Sequence, residues 1–202
     1  MFYNNEEEIE EEFEGEDGEE SGVFQNEEEE PPLLGLCGDV NEEALQSLSL
    51  GLLTLNGGRI LHTEDAGLSD LADIEFFISS GGGSVGDMFA VYDLMQLVKK
   101  NRDIATFGYG KVASAAVPLL AGGTPGKRHI GKNTRLMLHH CSSNIGGSHP
   151  TARANFNELK KVEEMMVQLI AEHSNLSAGE IYNIFSKNTD EYFSAEEALE
   201  MG

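Results

Sequence analysis

"DIEFFISSGGGSVGDMFAVYDLMQLVKK", residues 73–100, carries three local instructions in a row. "DIEFFIS" is a β-branched and aromatic run of strand length. "SGGGS" is a turn. "VGDMFAVYDLMQLVKK" spaces Met88, Val91, Tyr92, Met95 and Val98 along one helical face. A strand that turns on glycines into an amphipathic helix is the repeating unit of parallel sheets with crossover helices. The alternation continues on both sides. Upstream, Leu33 to Cys37 reads as a short buried strand, and Asn41 as the N-cap of a helix bearing Leu45, Leu48 and Leu52. "NGGRILHTEDAGLSD", residues 56–70, reads as a loop. Downstream, "DIATFGYG" is a strand, "VASAAVPLLAGG" a helix ended by glycines, and "TRLMLHHC" a further strand. "HPTARANFNELKKVEEMMVQLIAEHS" is a long amphipathic helix, followed by "SAGEIYNIFSK" and "SAEEALEMG", each with Ser at its N-cap. The pattern predicts an α/β fold with parallel strands and crossover helices, without internal repeats.

Charge divides the chain. Residues 1–31 hold 15 acidic and no basic side chains, so of the net charge of −23 the remainder carries only −8 (13 basic against 21 acidic). Self-repulsion and scarce apolar groups predict a disordered acidic tail over 1–31 and one folded domain over 32–202. No basic stripe is available to neutralise phosphates, which argues against nucleic-acid binding. The start lacks a basic segment followed by an apolar core. No run approaches the roughly 20 apolar residues of a membrane span, so a soluble, cytoplasmic protein is expected. Cys37 and Cys141 are too few for a disulfide framework and are read as free thiols.

"GGGSVG", residues 81–86, satisfies G-x-G-x-x-G between a strand and a helix. A dinucleotide site would also want an acid about 20 positions on, at the end of the next strand. That strand, "DIATFGYG", has its Asp at the opposite end. "GTPGKR" fails as a phosphate loop, because Ala121 and Arg128 stand where Gly and Ser or Thr are required. The other use of such a turn is to aim backbone N–H groups, unblocked by Cβ atoms, at developing negative charge. A second donor is the N–H after Ser114.

Ser114 stands among Ala113, Ala115 and Ala116, either as a simple helix cap or as a nucleophile in an open slot. A serine hydroxyl needs a base, and histidine suits that role near neutrality. Of six histidines, His139 and His140 close an apolar strand at the sheet edge where functional groups gather, and alternation lets only one face the site. The same alternation argues against His139, His140, Cys141 and His149 as a shared metal site.

"FFISSGGGSVGDMFAVYDLMQLVK", "GKVASAAVPLLAGGTPGKR", "NTRLMLHH" and "YFSAEEALEMG" together resemble, in order, the Clp-type serine peptidase family, ClpP, over about residues 33–202. The resemblance implies a ClpP/crotonase-like fold whose long helix projects as a handle. It implies Ser114 as nucleophile, His139 as base and Asp190 as orienter, with Gly83 and Ala115 supplying oxyanion N–H groups. It also implies that an extended peptide or unfolded protein lies as a strand between Gly82–Val85, including Ser84 and Val85, and about Ser142–Gly147, including Ile145 and Gly146. No metal or cofactor is implied. The expected assembly is a homo-oligomer of heptameric rings, single or stacked as a tetradecamer, with an AAA+ Clp ATPase as partner. Several positions depart from the family pattern. An acidic tail replaces the axial-loop segment, and Thr189 stands for an arginine that helps rings pair. The family's last strand has no counterpart before Gly202. Glu75 and His129 enter a docking cleft that keeps Phe77, Phe107 and Tyr109. Alternatives are a processing protease acting without an ATPase, as in virus maturation, and a non-catalytic or crotonase-like member of the fold.

Overall fold

Alternation in the strand at residues 74–80 decides which side of the sheet becomes core. Ile74, Phe76, Ile78 and Ser80 are buried, while Glu75, Phe77 and Ser79 lie half-buried on the other face. The computed structural model describes Phe2–Tyr3, residues 31–57 and residues 72–202. Its elements in chain order are β1 (Phe2–Tyr3), β2 (Leu33–Cys37), α1 (Glu42–Leu55), β3 (Ile74–Ser80), α2 (Val85–Val98) and β4 (Ile104–Ala113). A 3-10 turn (Ser114–Ala116) leads to α3 (Val117–Ala121), β5 (Arg128–Gly131), β6 (Arg135–Leu138), α4 (His149–Glu172), α5 (Ala178–Phe185), β7 (Glu191–Phe193) and α6 (Ala195–Met201).

Among the described residues the strands join in one sheet, ordered β1-β5-β4-β3-β2, with β6 also paired to β4 and β7 to β6. The β2–β3, β3–β4, β4–β5 and β4–β6 pairs are parallel, and β1–β5 and β6–β7 are antiparallel. The fold is therefore α/β with crossover helices, as the alternation of elements predicts. Asn41 Oδ1 accepts the Ala44 N–H at 2.9 Å to start α1, and Ser84 Oγ accepts the Asp87 N–H at 3.3 Å to start α2. Leu48 and Leu52 of α1, with Met88, Val91, Met95 and Val98 of α2, enter the core. Capping boxes at Ser177–Glu180 and Ser194–Glu197 start α5 and α6. In α4 the buried residues, Met166, Val167, Leu169 and Ile170, lie toward its end, and Phe156 is exposed on its first half. That first half reaches past the core.

Four expectations are corrected. β2 is not a buried strand: Leu36 is its one buried residue and Leu33 is exposed, because β2 lies at the sheet edge. The helix expected from Val112 begins only at Val117, since Lys111–Ala113 pair with β6 and hold the chain extended. The strand expected over 134–141 is β6 alone and ends at Leu138. Phe2–Tyr3, read as tail, pairs with Gly131 and Ile130. The strands β5 and β7 were not expected from the pattern; they span only Arg128–Gly131 and Glu191–Phe193. The predicted disorder over residues 4–30 and most of the loop over 56–70 lie outside the described residues.

At the opposite end of the sheet from the glycine turn, Lys127 Nζ bonds Asp73 Oδ2 at 2.6 Å and Asp103 Oδ2 at 2.8 Å. The bond from Lys127 holds the Asp103 carboxyl below its ordinary value of 3.8. A carboxyl lowered in the native state stabilises fully above its unfolded value and loses that contribution as pH falls through the native one. Partly exposed pairs of this kind contribute about 0.2–1 kcal/mol. Asp103→Asn is expected to lower Tm slightly at pH 7, with the gap to wild type closing as pH falls below 3.8, measured by thermal denaturation across pH.

Candidate active site

The path of β4 is set by a bulge. From Ile78 to Ser80 is two steps on β3, but from their partners Gly108 to Val112 is four on β4, so two extra residues are inserted. Gly110, at φ 66°, takes the left-handed conformation there. Before the bulge Thr106–Gly108 pair with β5, and after it Lys111–Ala113 pair with β6. The strand then delivers Ser114 at φ 52°, a left-handed conformation uncommon outside glycine.

The glycine turn packs directly on that serine. A Cβ on Gly82 would lie 2.6 Å from Ser114 Cβ, 2.7 Å from the Ala113 carbonyl and 3.0 Å from Ala115 N. A Cβ on Gly83 would collide with the Val40 carbonyl. Val40 N–H donates to Gly82 O at 2.9 Å and Ser84 N–H to Val40 O at 2.8 Å. This short bridge fixes the turn and leaves the Gly83 N–H out of its two bonds.

His139 follows directly on β6, with Nε2 2.8 Å from Ser114 Oγ. The sheet brings an acid to its other nitrogen. β6 and β7 pair antiparallel with Leu138 opposite Glu191, so the next pair outward is His139 and Asp190. Asp190 Oδ1 lies 3.6 Å from His139 Nδ1, and the two side chains are 50% and 28% exposed. The Tyr192 hydroxyl lies 3.5 Å from the other Asp190 oxygen. Glu191 points elsewhere, accepting from Lys187 Nζ at 2.8 Å and Thr189 Oγ1 at 3.0 Å, bonds that hold its carboxyl below the usual range.

The structure thus brings together Ser114, His139 and Asp190, with Gly82 and Ala115 against the serine and Gly83 next in the turn, packed on Val40. In the expected substrate segment Ser84 is extended and caps α2 with its side chain, and Val85 is the first helical residue. Ile145 and Gly146 are exposed in a segment without regular structure. It is His139, not His140, that bonds Ser114, and among the described residues the buried His140 Nδ1 has no hydrogen-bond partner. Cys141 packs against the core, and its N–H donates to Glu163 Oε2 at 2.9 Å. Burial and the Glu163 charge push the Cys141 thiol up to about 11. The spacing of these two residues in sequence gives no sign of that contact.

The Clp protease family model matches residues 61–202. The chain belongs to the Clp protease family. It is 38% identical over 130 residues to ATP-dependent Clp protease proteolytic subunit 2 of Bifidobacterium longum, covering 64% of this chain and 61% of that one. It is 38% identical over 132 residues to subunit 2 of Corynebacterium efficiens, covering 64% and 63%. With subunit 2 of Cutibacterium acnes it shares 34% over 167 residues, covering 83% and 72%. The chain thus spans about three fifths of the length of the first two relatives. Among the described residues no helix is long and apolar enough to cross a membrane.

Cys37 is exposed and its Sγ lies 2.9 Å from the Tyr109 hydroxyl. In this Clp family member iodoacetamide at pH 8 is expected to alkylate Cys37 first. Cys141 should react at least about 10-fold more slowly than an ordinary thiol, as read by peptide mass mapping over time.

Proposed function

We propose that the chain is a serine endopeptidase of the Clp type, acting through an acyl-enzyme. The observation that carries this reading is the 2.8 Å contact between His139 Nε2 and the hydroxyl of a serine in the left-handed conformation. As Ser114 Oγ attacks a peptide carbonyl, His139 Nε2 accepts the hydroxyl proton and then passes it to the departing amine. Water next attacks the acyl group, its proton going to Nε2, and Ser114 leaves with a proton restored. Asp190 holds the imidazole in the right tautomer and offsets its positive charge. The N–H groups of Gly83 and Ala115 stabilise the tetrahedral oxyanion, at a site close enough to Gly82 that no Cβ fits between them. The substrate is an extended peptide or unfolded protein that lies as a strand between Gly82–Val85 and about Ser142–Gly147, which gives tolerance of side-chain sequence.

The enzyme works as a homo-oligomer of rings. In support, the sheet face away from the core carries Phe77 stacked on Phe107 at 4.7 Å and Phe107 stacked on His129 at 4.5 Å, and none of the three is fully buried. A Clp ATPase docks on that face. His129 and Glu75 on the same face favour a second reading, in which the peptidase processes its substrates without an ATPase. Degradation of an unfolded protein with and without a Clp ATPase separates the two.

Ser114→Ala is expected to abolish fluorophosphonate labelling and cleavage of fluorogenic peptides with the fold intact by circular dichroism, leaving about 10³–10⁴ over the rate in water. A variant still labelled at Ser114's peptide region and fully active would defeat the mechanism. Asp190→Asn is expected to slow single-turnover acylation by about 10⁴ while leaving Ser114 and His139 in place. Glu191→Gln, at matched oligomeric state, should stay near wild type. The reverse order would show that the orienting acid is misassigned.

A further inference from the structure

The sheet fixes the backbone only as far as Leu138, where β6 ends, and residues 139–148 enter no regular element before α4 begins. His139 is the first residue beyond that support. An imidazole that must stay 2.8 Å from Ser114 Oγ therefore depends on what restrains the chain just after it. One restraint is the hydrogen bond from the Cys141 N–H to Glu163 Oε2 at 2.9 Å. A carboxylate accepting a backbone N–H makes a bond about twice as strong as a neutral one. Glu163 lies three and four residues before Met166 and Val167, hence on the face of α4 that enters the core. A carboxylate there continues a buried stripe with a charge. Among the described residues no salt bridge ties it to a cation. The Cys141 side chain packs against the core from the same residue, so residue 141 is held through both its backbone and its side chain.

We propose that Glu163 is a positioning residue: by accepting the Cys141 N–H it anchors the backbone beyond β6 and keeps His139 aligned with Ser114. The proposal rests on the reading of Ser114 and His139 as nucleophile and base. Glu163 touches neither substrate nor reacting atoms and acts through the chain. What it supplies is an acceptor, which an amide oxygen also supplies, so Gln replaces it and Leu does not.

The test uses the full chain carrying Glu163→Gln or Glu163→Leu. Single-turnover acylation should be about 10-fold slower in Glu163→Leu, short of the 100-fold or so that a misplacement of 1 Å costs. Peptide KM should stay within about twofold, and Glu163→Gln should remain within about twofold of wild type. Wild-type acylation in Glu163→Leu, or equal losses in both variants, overturns the proposal. If Glu163→Leu fails to fold, Glu163→Asp takes its place: its charge is kept but its acceptor is withdrawn by one methylene, and an unchanged rate again overturns it. Amide exchange at Cys141 reads the tether without any activity. It should quicken in Glu163→Leu and not in Glu163→Gln, and unchanged exchange in both sinks the tether. A wild-type chain that fluorophosphonate never labels speaks instead against the Ser114–His139 reading.

Discussion

There is no room for a side chain between residue 82 and Ser114, and the rest of the site depends on that constraint. A Cβ on Gly82 would lie 2.6 Å from the serine's own Cβ, inside the distance at which carbon atoms repel. The glycine lets the chain after β3 approach the chain after β4 until residue 82 meets the Ala113 carbonyl, the Ser114 Cβ and the Ala115 nitrogen. Two further features make the approach consistent. The bulge around Gly110 re-aims β4 after it has paired with β5, and the Val40 bridge holds the turn from its far side. A left-handed serine costs of order 1–3 kcal/mol. It is held by neighbours that are themselves fixed, with Ala115 and Ala116 fully buried behind it.

Strand register does for the acid what close approach does for the serine. Because β6 and β7 pair with Leu138 opposite Glu191, Asp190 rather than its neighbour falls opposite His139. A slip of one residue would exchange the two carboxylates and send Asp190 to the other face. Lys187 and Thr189 oppose such a slip by binding Glu191. They hold Glu191 away from the histidine, so partners as well as pairing decide which of the two adjacent carboxylates lies beside His139.

Legibility in the sequence followed length and periodicity. The strand at 74–80 and the helix at 85–98 were readable because an alternating run, a glycine turn and a 3.6-residue stripe follow one another without ambiguity. The caps at Asn41, Ser177 and Ser194 were readable for the same local reason. β5 and β7 were not, since three or four residues carry too little periodicity and exist through their pairing partners. The extension of β4 to Ala113 was hidden as well: "VASAAV" has the composition of a helix, and only its ladder with β6 overrides that propensity. At the site, Ser114 and His139 could be named from residue type and motif, and their separation is a tertiary fact. Glu163 could not be named, because its partner is a backbone N–H, which any residue but proline offers.

The strands that carry the site also carry the row on the sheet's other face. Phe77 and Phe107 are direct partners in the β3–β4 ladder, and Phe107 and His129 in the β4–β5 ladder, so register alone stacks the three rings. On β3 the residues between, Phe76 and Ile78, are fully buried on the core side. Parallel sheets ordinarily bury both faces, and here the second face holds aromatic rings that are only half-covered, with Tyr109 set edge-on to Phe77 and bonded to Cys37. Apolar area left in this state is stabilised when another surface removes it from water, at about 25 cal/mol per Å². That physical incentive is common to ring formation and to partner docking. It resides in β3 and β4, the two strands whose ends meet at Ser114.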